Sequence, residues 1–426
     1  MNVHRRTVLR GLAAGAAGAL AAPILAGAAD AATAEVCRDI RFHAWSGTAG
    51  FAPGDHAGTG AGPDGLVLAA PAGCADYTDP FRGGTTVYDY AVWTSPWAYP
   101  GFVASQAVAS WNAVTPDGTW IEAELRGVTA AGACTTWYVL GRWAADDLTF
   151  LRTSVPGQRD DHGSVDVDTF VANEGTGLVA WQLRIILHRR SGTAQSPTVR
   201  SAGVMVSRLP APAAYPTSTP MTALHTALPV PAYSQETHAG QYPQWDNGGE
   251  AWCSPTSTSM VVAYWGAGPT PADYAWVDPS YADPWIDHAA RHTYDNTYTG
   301  CGNWPFNTAY AARFGLNAFV TRMRSFQEAE RFIAAGVPVI VSASFTKDEV
   351  PGADYATNGH LMVIVGFTGD GDPVLNDPCA ADNAGVRKVF GRAQFETAWR
   401  NSSGGIVYVI HPPTVALPTP PGQANW

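Results

Sequence analysis

Trp252-Cys253-Ser254-Pro255-Thr256-Ser257-Thr258-Ser259-Met260 sets a cysteine at the threshold of a helix. Ser254 offers a hydroxyl that can accept from the free N–H groups of a first turn. Pro255 suits the first helical position, where no N–H is needed. Met260, Val261, Val262 and Tyr264 carry the helix on, and Gly266-Ala267-Gly268-Pro269 ends it. Cys253 is therefore expected just before a helix, at the positive end of its dipole, where the attacking thiolate is favoured over the thiol.

Two further residues downstream fit the same chemistry. His360 opens the apolar run Leu361-Met362-Val363-Ile364-Val365-Gly366-Phe367, and Gly369-Asp370-Gly371-Asp372 turns the chain back. Val374-Leu375-Asn376-Asp377 returns beside it, so a hairpin puts Asp377 within a residue or two of the level of His360. A carboxylate beside an imidazole fixes its tautomer and stabilises its cation, raising the histidine pKa. Singly, each residue has an ordinary reading: a buried small hydrophobe, a surface histidine, a turn aspartate. Together, Cys253, His360 and Asp377 form an ordered set in the local settings that nucleophilic catalysis needs.

The chain has 426 residues, 46% of them hydrophobic, enough for two cores. Met1-Asn2-Val3-His4-Arg5-Arg6 begins it with the twin arginine of a Tat export signal, and an alanine-rich run from Gly11 to Ala29 follows. Cleavage is expected near Ala32 or Glu35, giving a secreted or cell-wall-associated protein with no stable membrane insertion. The formal charge is −11. Loss of residues 1–34 removes three arginines and one aspartate, leaving 22 basic residues against 35 acids, or −13. That balance argues against a nucleic-acid partner. Six cysteines, Cys37, Cys74, Cys134, Cys253, Cys301 and Cys379, are compatible with disulfides in an exported protein. A free Cys253 leaves five, with Cys301–Cys379 and one amino-terminal pair as the expected bridges. No C-x-x-C pair points to structural zinc, and the chemistry requires no metal or organic cofactor.

Residues 35–209 read as an all-β domain. Thr119–Leu125 and Val179–Ile185 alternate faces, the latter with Trp181, Leu183, Ile185 and Leu187 on one side, and Val199–Val206 adds a strand. Short strands divided by turns such as Pro116-Asp117-Gly118 imply an antiparallel sandwich of jelly-roll type. Trp93, Trp97, Tyr99, Trp111, Trp120, Trp137, Trp143 and Trp181 are expected chiefly in its core, with a carbohydrate platform as the alternative. A proline-rich linker spans 210–229. An α+β domain follows over 230–413, with helices near Asn307–Phe314 and Gln327–Ala335 and strands at Pro338–Ala343, Leu361–Phe367 and Pro373–Leu375. Residues 414–426 form a tail.

Val230-Pro231-Ala232-Tyr233-Ser234-Gln235, Trp252-Cys253-Ser254-Pro255-Thr256-Ser257, Gly359-His360 and Asn376-Asp377-Pro378 together resemble the peptidase family 39-like group of papain-fold cysteine peptidases, relatives of the bacteriocin double-glycine leader peptidases. The resemblance covers somewhat under half of the chain. It implies a papain-like fold over this region, and an upstream glutamine that shares the oxyanion with the cysteine's own N–H. Gln235 matches that position, although Gln241 and Gln244 lie nearer Cys253. The leader peptidases commonly carry Gly after the nucleophile, where this chain has Ser254. The function implied is cleavage of a peptide or related amide through a thioester, with a peptide or protein as partner. Two alternatives accompany it: a transglutaminase-like acyltransferase, and an inactive cell-surface protein that contacts cell wall or carbohydrate through its first domain.

Overall fold

A computed structural model describes residues 39–212, 216–221 and 227–426, so the export signal and Cys37 lie outside the described residues. Alternation builds the first unit. Its seven-stranded sheet runs Gly163–Asp166, Thr169–Ala172, Gln106–Val114, Thr198–Arg208, Gly65–Leu68, Thr59–Gly62, with Asp39–Ser46 also paired to Thr198–Arg208. The six-stranded sheet runs Asp55–Ala57, Thr85–Thr94, Leu178–Arg190, Thr119–Thr129, Tyr138–Trp143, with Gly73–Thr78 also on Thr85–Thr94. Trp181, Leu183, Ile185 and Leu187 all face one buried cluster that also receives Ala107, Ala109 and Trp111 from the other sheet. The two inner faces thus close a single core, as in a sandwich.

The tryptophans divide. Trp93, Trp111, Trp143 and Trp181 are sealed in that core, and Trp120 belongs to a smaller cluster with Tyr88 and Phe150. Trp97 and Trp137 are half-buried on the outer face beneath the guanidinium groups of Arg126 and Arg184, and Tyr99 is exposed. Arginine occupies the ring faces there.

The second unit is a six-stranded antiparallel sheet ordered Asn317–Arg322, Ile406–His411, Val339–Phe345, Thr357–Phe367, Pro373–Asn376, Arg387–Val389. The Cys253–Tyr264 helix packs against Thr357–Phe367. Gly266 at φ +65° lets the helix end in paired bonds, Gly266 N–H to the Ala263 carbonyl and Ala267 N–H to that of Val262. The helix expected at Asn307–Phe314 starts earlier, at Trp304–Ala312, because the Asn303 side chain accepts from the Phe306 N–H and Pro305 fits the first turn. Pro284–Thr293 and Arg392–Ser402 are helices that the sequence pattern did not reveal.

The units share a wall. Gln106–Val114 is buried on both faces, and its Asn112 side chain pairs with both backbone groups of Ala318, at 2.6 Å to the carbonyl and 3.0 Å from the N–H. Ser110 Oγ accepts from the Val320 N–H at 2.8 Å. These contacts cover the outer edge of the second sheet, which would otherwise expose unpaired backbone. The expected linker and tail are docked as well. Leu228 donates to the Val365 carbonyl, Ser218 to Glu396 and Met221 to Glu330. Asn425 is fully buried against Arg322 and Glu328, and the Ala424 carbonyl accepts from Phe42 in the first strand.

Candidate active site

The hairpin register places two members of the site. Val363 pairs with Asn376, so continuing the ladder sets Asp377 opposite Met362, one side-chain step from His360 on the same face. His360 Nε2 meets Asp377 Oδ1 at 2.8 Å. Nδ1 is the nitrogen left to face Cys253, whose sulfur is near enough to act on the charge of the imidazole. Burial disfavours the imidazolium, but the hydrogen bond to Asp377 and the negative charge of Asp377 and Cys253 outweigh it, raising His360 to about 10.

Asp377 is fully buried and saturated with donors. Oδ1 accepts from His360 and from the Cys379 N–H at 3.0 Å. Oδ2 accepts from Tyr355 Oη at 3.1 Å and Lys388 Nζ at 3.2 Å. Burial alone would raise this carboxyl, yet His360, Lys388 and the Cys379 N–H hold it well below the ordinary carboxylate range. Tyr355 also sets its ring edgewise to His360, with centroids 5.5 Å apart. Its phenol is pushed far above the usual tyrosine range, by burial and by the neighbouring Asp377. Asn376, also buried, donates to the Pro231 carbonyl at 2.9 Å and accepts from Arg387 at 3.0 Å, tying the strand to the Val230-Pro231 segment.

Cys253 is the first helical residue, 9% exposed, and not the residue before the helix. Ser254 is not the cap: its hydroxyl lies 3.0 Å from that of Tyr408, and Trp252 stands at the N-cap position with no side-chain cap bond. Pro255 is third in the helix, still within the first turn, where its missing N–H has no intrahelical partner to lose. The first regular bond is Thr256 N–H to the Trp252 carbonyl. The shift leaves the Cys253 N–H among the unpaired donors of the helix start.

Gln235 lies between the two halves of the site. Its N–H donates to the Pro378 carbonyl at 2.9 Å, and its side-chain Nε2 donates to the Glu250 carbonyl at 2.7 Å and to Glu236 Oε1 at 3.1 Å. Gly249 allows this packing, since a Cβ there would meet the Gln235 oxygen at 2.4 Å and the His238 backbone at 2.3 Å. Gln241 is engaged with His238 and the Thr237 carbonyl, and Gln244 is exposed. Cys301 and Cys379 are not bridged. Cys301 is a buried thiol against the Ala290 carbonyl and Cys379 sits beside Asp377, while Cys74 and Cys134 are also free. Among the described residues, no cluster of three His, Cys, Asp or Glu side chains is arranged to hold a metal ion. No described helix is long and apolar enough to cross a membrane.

Tyr355 and Lys388 are not legible from the sequence. Lys388 sits on a three-residue strand tied to the Asn376-Asp377 motif through the Leu375↔Lys388 pairing, and Tyr355 comes from a loop with no pattern.

Residues 41–207 match the family model described as the peptidase C39 N-terminal domain, and residues 227–407 match that of the peptidase C39-like family. No curated protein matches the chain. Among solved structures, similarity is found to a protein from Bacillus anthracis assigned as a C39-like peptidase, at 19% identity and a TM-score of 0.28, covering 43% of this chain and 96% of that one. A structure of carbohydrate-binding modules of the β-sandwich superfamily matches at 10% identity and TM-score 0.16, over 38% of this chain and 55% of that one. A structure of infectious bursal disease virus, Gx strain, matches at 13% and 0.19, over 43% and 38%. Scores this low establish no shared overall fold.

Proposed function

Because the chain belongs to the peptidase C39-like family, we propose that it is a cysteine hydrolase of papain-like fold that cleaves a peptide or related amide bond. The observation that carries this reading is His360, held between the Asp377 carboxylate at 2.8 Å and the Cys253 thiol at a helix start. His360 takes the Cys253 proton, the sulfur attacks the amide carbonyl, and the imidazolium then protonates the leaving amine. Water, activated by the same imidazole, hydrolyses the thioester. Asp377 holds the ring and supports its cation. The tetrahedral oxyanion is received by the Cys253 N–H and by Gln235 Nε2, which exchanges Glu236 for the oxyanion when substrate binds. The twin-arginine start makes export from the cytoplasm part of the proposal, with the domains divided near 209 and 230 and the jelly-roll-like unit outside the chemistry.

The test is labelling with a chloroacetamide near neutral pH, read cysteine by cysteine by mass spectrometry because Cys74 and Cys134 are also exposed thiols. The Cys253 peptide is expected to react fastest, its signal to vanish in Cys253→Ala together with all peptide hydrolysis, and to fall severely in His360→Ala. Hydrolysis that survives in Cys253→Ala removes the proposal.

A further inference from the structure

The segment 234–236 is stapled across the site. Ser234 Oγ donates to the Ala380 carbonyl and accepts from the Glu236 N–H at 3.0 Å, while the Gln235 N–H donates to the Pro378 carbonyl at 2.9 Å. Pro378 and Ala380 both lie just past Asp377. The side chain of Gln235, 3% exposed, reaches the other way, to the Glu250 carbonyl three residues ahead of Cys253. Gln235 therefore joins the segment that follows Asp377 to the start of the nucleophile helix.

That amide has no free hydrogen. A primary amide offers two N–H donors. One goes to the Glu250 carbonyl at 2.7 Å and the other to Glu236 Oε1 at 3.1 Å. The nitrogen must be the atom facing them, since a reversed amide would aim its oxygen at two acceptors. Glu236 is half-buried, and among the described residues Gln235 is the only side chain its carboxylate bonds. Its charge is felt within the site: burial, then Asp377, Glu236 and Cys253, push the Cys379 thiol up to about 12. A carboxylate placed there opposes catalysis twice. It occupies the donor that a tetrahedral intermediate needs, and it repels the negative oxygen that would replace it.

We propose that Glu236 is a latch on the oxyanion hole, opened when a backbone N–H of a bound peptide takes over the carboxylate and frees Gln235 Nε2. The proposal rests on the hydrolase reading for the role of Gln235. An extended peptide brings N–H donors on both sides of its scissile bond, and a small acyl ester brings none. Glu236 thereby selects peptides, because the hole is completed only as the right substrate binds.

Acylation of Cys253 by nitrophenyl acetate isolates the latch. The thiol proton passes to His360, the sulfur bonds the acetyl carbon, and the carbonyl becomes an oxyanion whose collapse expels nitrophenolate. Alkylation by a chloroacetamide uses the same thiolate but displaces chloride and forms no oxyanion. The ratio of the two rates, read on the Cys253 peptide of the full-length protein by mass spectrometry, therefore reports the hole and cancels any change in the thiolate. Glu236→Ala is expected to raise this ratio about tenfold, and Glu236→Gln, which keeps an acceptor without the charge, by less. Adding Gln235→Leu to Glu236→Ala should abolish the gain. Hydrolysis of a peptide pool, where substrate already opens the latch, should rise by less than about threefold in Glu236→Ala. An unchanged or lower ratio, a gain that survives Gln235→Leu, or a peptide gain as large as the ester gain overturns the latch in a protein that still hydrolyses peptide. A Gln235-dependent gain in a protein that hydrolyses no peptide keeps the latch and removes the peptide hydrolase.

Discussion

Two buried histidines on strands of this molecule behave in opposite ways. His188 lies in Leu178–Arg190 of the sandwich and is 8% exposed; His360 lies in Thr357–Phe367 and is 4% exposed. His188 stacks on Trp120 with ring centroids 3.6 Å apart, and neither of its nitrogens has a hydrogen-bond partner among the described residues. Burial, helped by Arg142, pulls it down to about 3. His360 is as deeply enclosed, yet Asp377 and Cys253 raise it to about 10. Enclosure by itself turns histidine into a neutral core ring, whereas a carboxylate whose own position is fixed turns the same enclosure into a site for a cation. Asp377 is fixed by three donors besides His360, and among the described residues no carboxylate contributes to the His188 shift.

Asp377→Asn breaks the comparison most severely. It removes the charge while keeping the shape, so peptide hydrolysis should fall by roughly 10²–10⁴. The His360 imidazole, followed by NMR in histidine-labelled protein, should titrate well below its present value of about 10. The stability profile carries the same signature. A histidine raised above its unfolded value stabilises the fold fully below about 6.5 and loses that contribution as pH climbs toward about 10. The variant should flatten this alkaline decline. A ring that stays cationic at pH 9 in the Asn variant would show that Asp377 is not the cause.

The donors behind Asp377 produce smaller effects. Tyr355→Phe deletes one hydrogen bond to Oδ2, and Lys388→Met deletes the other together with a charge. Each leaves the His360 contact on Oδ1 intact, so a loss of about threefold to tenfold in turnover is expected. Their directions on the histidine differ. Without Lys388 the carboxylate is more negative toward the ring, so His360 should titrate higher. Without the Tyr355 hydroxyl the aspartate loses only orientation. A pH profile for Lys388→Met that does not move would place its ammonium outside the electrostatics of the pair.

Sequence reading reaches the site where local rules coincide with global ones. The hairpin through Gly369-Asp370-Gly371-Asp372 brings Asp377 to the level of His360, but the shared face depends on a bulge between Ile364 and Gly366 that shifts the register by one residue, which the sequence pattern does not show. The Cys253 helix is legible from its apolar run and its glycine stop. Its start is not, because Ser254 finds Tyr408, a partner 154 residues away that outcompetes the capping bond expected from neighbours alone. Tyr355 and Lys388 are invisible for the same reason: their contact with Asp377 depends on a loop path and a sheet edge. In the sandwich, the period-two pattern at Trp181, Leu183, Ile185 and Leu187 gives the core directly. It cannot say that Gln106–Val114 is buried on its second face, since that requires the other unit.

The mildest test falls on the neutral partner of the comparison. His188→Phe keeps an aromatic ring stacked on Trp120 and edgewise to Tyr88 while deleting two nitrogens that have no hydrogen-bond partner among the described residues. At pH 7 both rings are uncharged in this setting, and stability should change by no more than about 1 kcal/mol. Acid separates them. With a folded pKa near 3 and an unfolded one near 6.5, wild-type His188 takes up a proton only on unfolding, so stability falls as pH drops through that window. His288, also lowered to about 3, and His292 drain stability in the same direction, so the slope persists in the variant but is shallower. Denaturant titrations at pH 4.5, 5 and 5.5 should show a slope reduced by about 1.4 kcal/mol per pH unit, the linkage of one proton. An identical slope in both proteins would mean that His188 carries its proton in the folded state, and the contrast with His360 would then be one of partners without any difference in charge.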